Sequence, residues 1–304
     1  TLSCSTQPKT EKETESIMKF AKSEPWQVFE VKSSEASRSP LPPFTTSTLQ
    51  QAASSRLNFS PANTMRIAQR LYEAGLITYM RTDSVNMSEE ARNAATAYAI
   101  KKFGQEFSES RVYTTKSRNA QEAHEAIRPT DPSREKAGGS PEQQKLYDLI
   151  FRRTIASQMK PARLLRTRIV ANTVSRKIPD FVANGSHLIF PGWLAVDPHA
   201  LQEDKDIASV SIGDSLVLDN IFSEAKQTEP PHRYSEAGLV KELEKRDIGR
   251  PSTYASILKT LIDRGYTEKE GRSLRPTETG EAVSSFLEAH FGNIISDTFT
   301  AQME

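Results

Sequence analysis

The first clear pattern of hydrophobic positions along the chain is that of a helix. Leu49, Ala52, Ala53 and Leu57 stand at positions i, i+3, i+4 and i+8, so they share one helix face, with polar side chains on the other. Thr48 precedes them and is a residue type that favours N-caps. The pattern therefore predicts a helix that begins after Thr48.

A second helix is predicted after a short break at residues 58–60. Pro61 suits the first helical position, because its missing N–H is not needed there. Gly75 suits the position just after the last turn. Residues 76–80 then have the composition of a short strand. We expect the inward face of this helix to carry Met65, Ala68, Leu71 and Tyr72.

This helical pattern occurs twice in the chain. Residues 234–267 align without a gap with residues 44–77, an offset of 190 positions. Identical pairs are Leu49 and Leu239, Arg56 and Arg246, Pro61 and Pro251, Ile67 and Ile257, Leu71 and Leu261, and Gly75 and Gly265. The shared plan is helix, turn, helix, glycine stop and strand, which is typical of winged helix-turn-helix units that bind nucleic acid. Two unrelated helical hairpins that match by chance are the alternative.

The region between the two copies has two parts. Residues 86–163 have a mainly helical pattern, and Asn86 or Ser88 is the expected N-cap of a helix that runs toward Phe103. Residues 164–228 contain short alternating segments, for example 167–171 and 215–221, which predict strands. Residues 27–32 have the same alternation, so the β part is expected to join two separated pieces of chain.

Composition narrows the possible classes of protein. A chain of 304 residues suggests two or three domains, and 36% hydrophobic with 26% charged residues is compatible with a folded core. Long apolar runs are absent, which argues against a membrane span. Cys4 is the single cysteine, so the sequence excludes internal disulfides and cysteine-rich zinc sites and favours a cytoplasmic protein.

Charge is informative only in its distribution. The 40 basic and 39 acidic residues leave a formal net charge of +1. Residues 151–177, however, contain eight basic residues and no acidic one. Such a stretch would attract a phosphate backbone. A solvated helix face followed by a strand edge is the alternative.

The segment GLITYMRTDS, residues 75–84, is the strongest candidate for a catalytic site. In a strand, Ile77, Tyr79, Arg81 and Asp83 share one side. A tyrosine that attacks a phosphodiester must lose a proton whose usual pKa is about 10. A fixed positive charge beside it lowers that cost and stabilises the charge that develops on phosphorus. Asp83 would orient the arginine.

Four blocks of sequence strongly resemble bacterial type IA DNA topoisomerases. They are PFTTSTLQQAASSRLNFSPANTMRIAQRLYEAGLITYMRTDS (43–84), QEAHEAIRPTDPS (121–133), EPPHRYSEAGLVKELEKRDIGRPSTYASI (229–257) and FTAQME (299–304). The resemblance covers nearly the whole chain, from about Trp26 onward.

The resemblance implies specific roles at the first two blocks. It assigns Tyr79 as the nucleophile that forms a phosphotyrosine link to the 5′ end of a cut single strand. Arg81 matches an arginine at the scissile phosphate, and His124 matches a histidine that supports cleavage and religation, with a structural histidine as the alternative. Asp83 and Arg128 are expected to support the site or contact phosphate. No GxxxxGK[ST] loop occurs, consistent with chemistry that needs no ATP.

The block GRPSTYA resembles a single-strand-binding element of the same family. Arg250, Ser252 and Thr253 are expected at the start of a helix, where backbone N–H groups, hydroxyls and a guanidinium suit phosphate. Simple helix capping by Ser252 or Thr253 is the alternative. Tyr254 would either stack on a base or be buried in the core.

The resemblance also implies what this chain lacks. The family binds Mg²⁺ through the acids of an N-terminal Toprim module, and the sequence shows neither that module nor the C-terminal zinc-ribbon region. We therefore expect a fragment with no metal site of its own, which binds DNA but does not relax it alone. The acidic residues Glu203, Asp204 and Asp206 lie in a polar stretch without an apolar strand, so we do not expect them to bind metal.

The expected architecture is α+β and multidomain. Residues 1–42 and 164–228 form a β-rich hinge, residues 43–163 an inserted winged-helix-like domain with the tyrosine, and residues 229–304 part of a single-strand-binding domain. The implied function is relaxation of negatively supercoiled DNA by single-strand cleavage, strand passage and religation. The implied partner is single-stranded or underwound DNA, and the protein is expected to be a monomer on the bacterial nucleoid.

Two other functions compete with this interpretation. One is a non-catalytic, winged-helix protein that binds single-stranded DNA, in which Tyr79 only packs. The other is a tyrosine recombinase, which links to a 3′ phosphate, but its Arg-His-Arg constellation is not apparent in the sequence.

Overall fold

The computed structural model describes residues 1–114, 124–201 and 207–304, and the chain divides into two units. The first, here called the sheet unit, comprises Thr1–Ser39 and Pro161–Pro230. The second, the helical unit, comprises Pro40–Lys160 and Pro231–Glu304. The mixed α+β class is therefore confirmed, whereas the three-domain boundaries at residues 42, 163 and 228 stay a prediction.

The sheet unit contains five antiparallel strands in the order β1-β4-β3-β2-β5, together with helix α1 (Glu11–Ser23). The strands are β1 (Ser3–Cys4), β2 (Trp26–Arg38), β3 (Ala162–Thr173), β4 (Phe181–Phe190) and β5 (Ser215–Leu216). Ala21 of α1 packs with Trp26, Ala171 and Ile178, and the Trp26 indole N–H donates to the Ala21 carbonyl at 2.8 Å. Strands were correctly predicted at residues 27–32 and 167–171. The strand predicted at 215–221 is only two residues long.

The helical unit contains eight α-helices within its described residues, a short 3-10 helix at Gln105–Phe107 and one β-hairpin. The helices are α2 (Thr46–Leu57), α3 (Pro61–Glu73), α4 (Glu89–Phe103), α5 (Pro141–Ser157), α6 (Glu236–Lys245), α7 (Tyr254–Asp263), α8 (Glu278–Phe291) and α9 (Asp297–Met303). The hairpin joins β6 (Thr267–Glu270) to β7 (Ser273–Pro276). No helix in the described part of the chain is long and apolar enough to cross a membrane.

The ends of the first two helices follow from local side-chain chemistry. Thr45, not Thr48, is the N-cap of α2, so the predicted start was wrong by three residues. Thr48 instead takes the third helical position of a capping box, in which its hydroxyl accepts from the Thr45 N–H at 2.9 Å. Asn58 ends the helix in a left-handed conformation, and Pro61 begins α3 as predicted. Ser88 is confirmed as the N-cap of α4.

Residues 76–80 do not form the predicted strand. Ile77 makes only an isolated bridge to Pro129, and the surrounding backbone is irregular. The composition suited a strand, but the segment that lies alongside it in the described structure, residues 127–130, contains Pro129, which has no N–H to extend a ladder. Tyr72 was also misplaced, since its side chain is 40% exposed rather than buried.

The internal repeat is present in the structure and extends beyond the predicted segment. Gly75 and Gly265 occupy equivalent positions with φ of +68° and +66°. The Thr130 hydroxyl donates to the Gly75 carbonyl at 2.7 Å, and the Thr277 hydroxyl donates to the Gly265 carbonyl at 2.5 Å. These threonines belong to the matching sequences IRPTD (127–131) and LRPTE (274–278). The second copy carries the predicted wing as β6 and β7, whereas α4 is inserted in the first copy before its closing segment.

Candidate functional site

The segment around Tyr79 is fixed to the start of α2. Thr46 is fully buried, and its hydroxyl donates to the Met80 carbonyl at 2.7 Å and accepts from the Thr82 N–H at 2.9 Å. The Thr46 N–H donates in turn to the Thr82 carbonyl at 2.8 Å. These three bonds hold residues 80–82 in an extended path without a neighbouring strand.

This path turns alternate side chains outward. Met80, Thr82 and Ser84 are buried, whereas Tyr79 is 43% exposed and Arg81 is also exposed. The predicted alternation therefore holds for Tyr79, Arg81 and the half-buried Asp83. Ile77 departs from it, since only 1% of its surface is accessible.

The other side of the segment is fixed to the HEAIRPT block. The Thr78 hydroxyl donates to the Ala126 carbonyl at 2.7 Å, and the Thr78 N–H donates to the Arg128 carbonyl at 2.9 Å. His124 is half-buried and lies two residues before Ala126. Two blocks that are about 45 positions apart in sequence thus meet beside Tyr79.

Arg128 is held by a neighbouring carboxylate. Its guanidinium donates to Glu125 at 2.6 Å and to the Pro129 carbonyl at 3.0 Å, and only 14% of its side chain is exposed. Glu125 also accepts from the Ser88 N–H at 2.7 Å. Burial opposes ionisation, but the Ser88 N–H and Arg128 together lower the pKa of Glu125. Arg128 therefore stabilises the block, and its contact with phosphate stays a prediction.

Tyr72 is a site residue that the sequence analysis missed. Its ring lies edge-on to the Tyr79 ring, with centroids 5.3 Å apart and an interplanar angle of 64°. Such a geometry is favourable for aromatic pairs and restricts the orientation of both rings. The sequence feature that could have identified Tyr72 is its place at the end of α3, just before Gly75, where the chain turns back toward Tyr79.

The GRPST sequence forms a turn before α7 and not its first turn. The Arg250 N–H donates to the Thr253 hydroxyl at 2.8 Å, and Thr253 is the N-cap without a side-chain bond into the helix. Ser252 is exposed. Glu304 accepts from the Gly249 N–H at 3.0 Å and lies 3.6 Å from the Arg250 guanidinium. A carboxylate thus already contacts the turn that we predicted to contact phosphate.

Tyr254 is buried in the core, which confirms one of its two predicted alternatives, the other being stacking on a base. Only 6% of its surface is accessible, and it packs with Val240, Leu258 and Leu274. Burial raises its pKa to about 12, with a further contribution from nearby negative charges that include Asp83. Asp83 therefore acts electrostatically on the first residue of α7.

Contacts between the repeat copies place the turn before α7 close to the Tyr79 segment. The Ser47 hydroxyl of α2 donates to Glu244 of α6 at 2.7 Å. Ser47 follows Thr46, which holds residues 80–82, and Glu244 lies three residues before Asp247, where the turn begins. Within the helical unit, the Tyr79 segment of the first copy and the turn before α7 of the second copy are therefore linked through α2 and α6.

Comparison with known proteins agrees with this arrangement. A family model described as DNA topoisomerase matches residues 3–304. The chain belongs to the DNA topoisomerase family. It is 42% identical over 97% of its length to DNA topoisomerase 1 of Synechococcus elongatus, and 46% identical over 90% to DNA topoisomerase 1 of Streptomyces coelicolor. It covers 34% and 30% of those proteins, so the chain spans about a third of these topoisomerases.

A solved topoisomerase structure has the same fold. The full-length topoisomerase I of Thermotoga maritima matches 99% of this chain with a TM-score of 0.84 at 36% identity, and 51% of that chain is covered. The resemblance found in the sequence is thereby confirmed at the level of the family and the fold.

Among the described residues, no group of three or more His, Cys, Asp or Glu side chains is placed to hold a metal ion. Mg²⁺ requires near-octahedral oxygen ligands, commonly from carboxylates. Glu203, Asp204 and Asp206 lie outside the described residues.

Proposed function

We propose that this chain is the tyrosine-bearing part of a DNA topoisomerase that cleaves and rejoins one DNA strand through Tyr79. The observation that carries the proposal is the exposure of Tyr79 and Arg81 on a segment that hydrogen bonds hold from both sides. A nucleophile on such a support is accessible to a DNA strand and already oriented.

The proposed reaction is a transesterification. The Tyr79 phenol oxygen attacks phosphorus, the bond from phosphorus to the 3′ oxygen breaks, and the tyrosine is left joined to the 5′ phosphate. The phenol loses one proton and the leaving 3′ oxygen gains one, so charge and atoms balance. Attack by the 3′ hydroxyl reverses both changes, and ATP is not needed because one phosphodiester replaces another.

Neighbouring residues have distinct proposed roles. Arg81, on the same exposed side as Tyr79, stabilises negative charge on the phosphate as it is attacked. His124 assists proton movement in cleavage and religation. Asp83 orients the site, and Arg128 supports it through Glu125. Arg250, Ser252 and Thr253 contact the backbone of the same strand where it passes the turn before α7.

The proposal includes the setting in which the chain acts. The substrate is single-stranded or underwound DNA, the protein acts as a monomer in the bacterial cytoplasm, and strand passage relaxes negative supercoils. Magnesium binds to a Toprim module and not to the residues described above. This chain alone binds DNA without relaxing it.

A trapping assay tests the proposal. The chain is mixed with a labelled single-stranded oligonucleotide and Mg²⁺, alone and with a separately expressed Toprim module, and is then denatured to reveal covalent adducts. We expect an adduct only in the mixture, and none with Tyr79→Phe. An adduct from the chain alone would refute the role given to the module. Absence of an adduct in both cases, with DNA binding intact, would favour a non-catalytic DNA-binding protein.

A further inference from the structure

The strand register of the sheet unit brings basic residues from distant parts of the chain to one face. Lys32 of β2 lies directly opposite Arg168 of β3, and Arg168 lies opposite Asn184 of β4. Residues directly opposite each other in antiparallel strands point to the same side of the sheet. One row across the sheet therefore consists of a lysine, an arginine and an asparagine.

A second row of the same kind runs beside the first. Arg166 lies opposite Ser34 on one side and opposite Ser186 on the other. It is two positions from Arg168, so the two rows share a face and lie about 6.7 Å apart. We name the six residues of these rows the basic face: Lys32, Ser34, Arg166, Arg168, Asn184 and Ser186.

The cations on the basic face outnumber the carboxylates that contact them. Lys32 and Arg168 stand opposite each other, an arrangement of like charges that destabilises a sheet. Glu30 alone contacts both, at 2.8 Å from Lys32 and 3.7 Å from Arg168. Arg166 has no ion-pair partner in the described part of the chain. Among the described residues, one carboxylate therefore contacts two of the three cations and leaves the third without an ion pair, so an external anion would relieve the repulsion between them.

The basic face is also accessible. The side chains of Lys32 and Arg168 are 71% and 51% exposed, and Arg166 is exposed as well. Ala171 is three positions from Arg168 along β3, and Trp26 lies opposite Thr173, five positions from Arg168, so both core residues lie on the opposite side of the sheet from the basic face. The basic face thus has no part in packing the hydrophobic core against α1.

We propose that the basic face binds the phosphate backbone of a DNA strand, separately from the Tyr79 site in the helical unit. Lys32, Arg166 and Arg168 supply the charge, and Ser34, Asn184 and Ser186 donate hydrogen bonds to phosphate oxygens. An open sheet surface with these donors contacts backbone and not base edges, so binding is independent of sequence. The inference rests on the proposed function, because it takes DNA as the ligand.

Salt dependence of DNA binding tests this surface. Binding of the chain to a labelled oligo-dT is measured by fluorescence anisotropy over a series of salt concentrations. For single strands, each lost phosphate contact reduces the slope of log K against log salt by about 0.7. Arg166→Gln with Arg168→Gln is expected to reduce the slope by about 1.4, so its affinity deficit shrinks about sevenfold between 50 and 200 mM salt.

Matched variants separate charge at this face from general effects. Arg163→Gln removes a guanidinium from the same strand but on the opposite face, beside Glu35, and is expected to leave the slope unchanged. Arg166→Lys with Arg168→Lys keeps the charge and should keep the wild-type slope. An unchanged slope in the double glutamine variant, or an equal loss in Arg163→Gln, would overturn the proposal.

The test also distinguishes this inference from the proposed function. Tyr79→Phe should abolish the covalent adduct and leave the salt slope intact. The double glutamine variant should lower the slope while Tyr79 still forms an adduct at saturating oligonucleotide with the Toprim module. A lowered slope without any adduct in wild type would retain the basic face and reject the cleavage chemistry.

Discussion

The hydroxyl of Thr46 offers a sharp test of how the Tyr79 segment is held. Thr46→Val keeps the shape of the side chain but removes its hydroxyl, which donates to the Met80 and Thr82 carbonyls and accepts from the Thr82 N–H. The Met80 carbonyl and the Thr82 N–H lose this partner, whereas the Thr82 carbonyl keeps the bond from the Thr46 N–H. All three residues are at most 2% exposed, so water cannot replace the lost partners.

The expected cost follows from those two groups. A buried donor or acceptor left without a partner costs about 1–3 kcal/mol. We expect Thr46→Val to lower the free energy of unfolding of the helical unit by about 2 kcal/mol. For a unit of this size, that loss corresponds to a fall of about 4–8 °C in Tm.

Thr46→Ser is the matched control, because it keeps the hydroxyl and removes only a methyl group. Thermal unfolding gives the stability of each variant, and hydrogen exchange at the amides of residues 80–84 reports the segment itself. We expect faster exchange and a lower yield of Tyr79 adduct in Thr46→Val than in Thr46→Ser. Equal Tm values and equal exchange in the two variants would refute the argument that this hydroxyl positions the segment.

Three further predictions concern Tyr72, the pair Gly265 and Gly280, and Glu125. Tyr72→Phe should retain the adduct yield at Tyr79, whereas Tyr72→Ala should reduce it severalfold with little change in Tm; equal yields would show that the ring contact has no positioning role. Gly265→Ala should cost about 1 kcal/mol in unfolding experiments through its positive φ alone. Gly280→Ala should cost more, because its new Cβ would lie 2.1 Å from a backbone carbonyl, and the reverse order would contradict this. The pKa of Glu125 is lowered in the folded protein, so its ionised form stabilises the fold above about pH 4.5. When unfolding is measured at a series of acidic pH values, the stability advantage of wild type over Glu125→Gln should therefore shrink as the pH falls below about 4.5. A difference that does not change with pH would be inconsistent with the ion pair.

The sequence alone was sufficient for features that depend on neighbouring residues. Pro61 begins α3 and Gly75 follows it with a positive φ, because the helix start and stop are decided by local backbone preferences. The repeat was visible for the same reason, since both copies need the same local signals. The outward position of Tyr79 and Arg81 on one side of the chain was likewise predicted from their spacing of two, and the structure confirms it.

Other features were decided by contacts between residues far apart in the chain. The path of residues 76–84 depends on hydrogen bonds to Thr46 and to the 126–128 backbone, so a strand-like composition led to the wrong element. Tyr72 was assigned to the core by helical spacing, but the turn at Gly75 brings Tyr79 against its exposed face.

The basic face shows the same division most clearly. The sequence showed a basic stretch at residues 151–177 but did not determine which of its side chains share a surface or which distant residues join them. The register of β2 with β3 determines which side chains share this surface, because a shift of one residue would move Arg166 and Arg168 to the side that carries the core. Local sequence thus determined where the helices begin and end, whereas long-range hydrogen bonding determined which side chains meet on one surface.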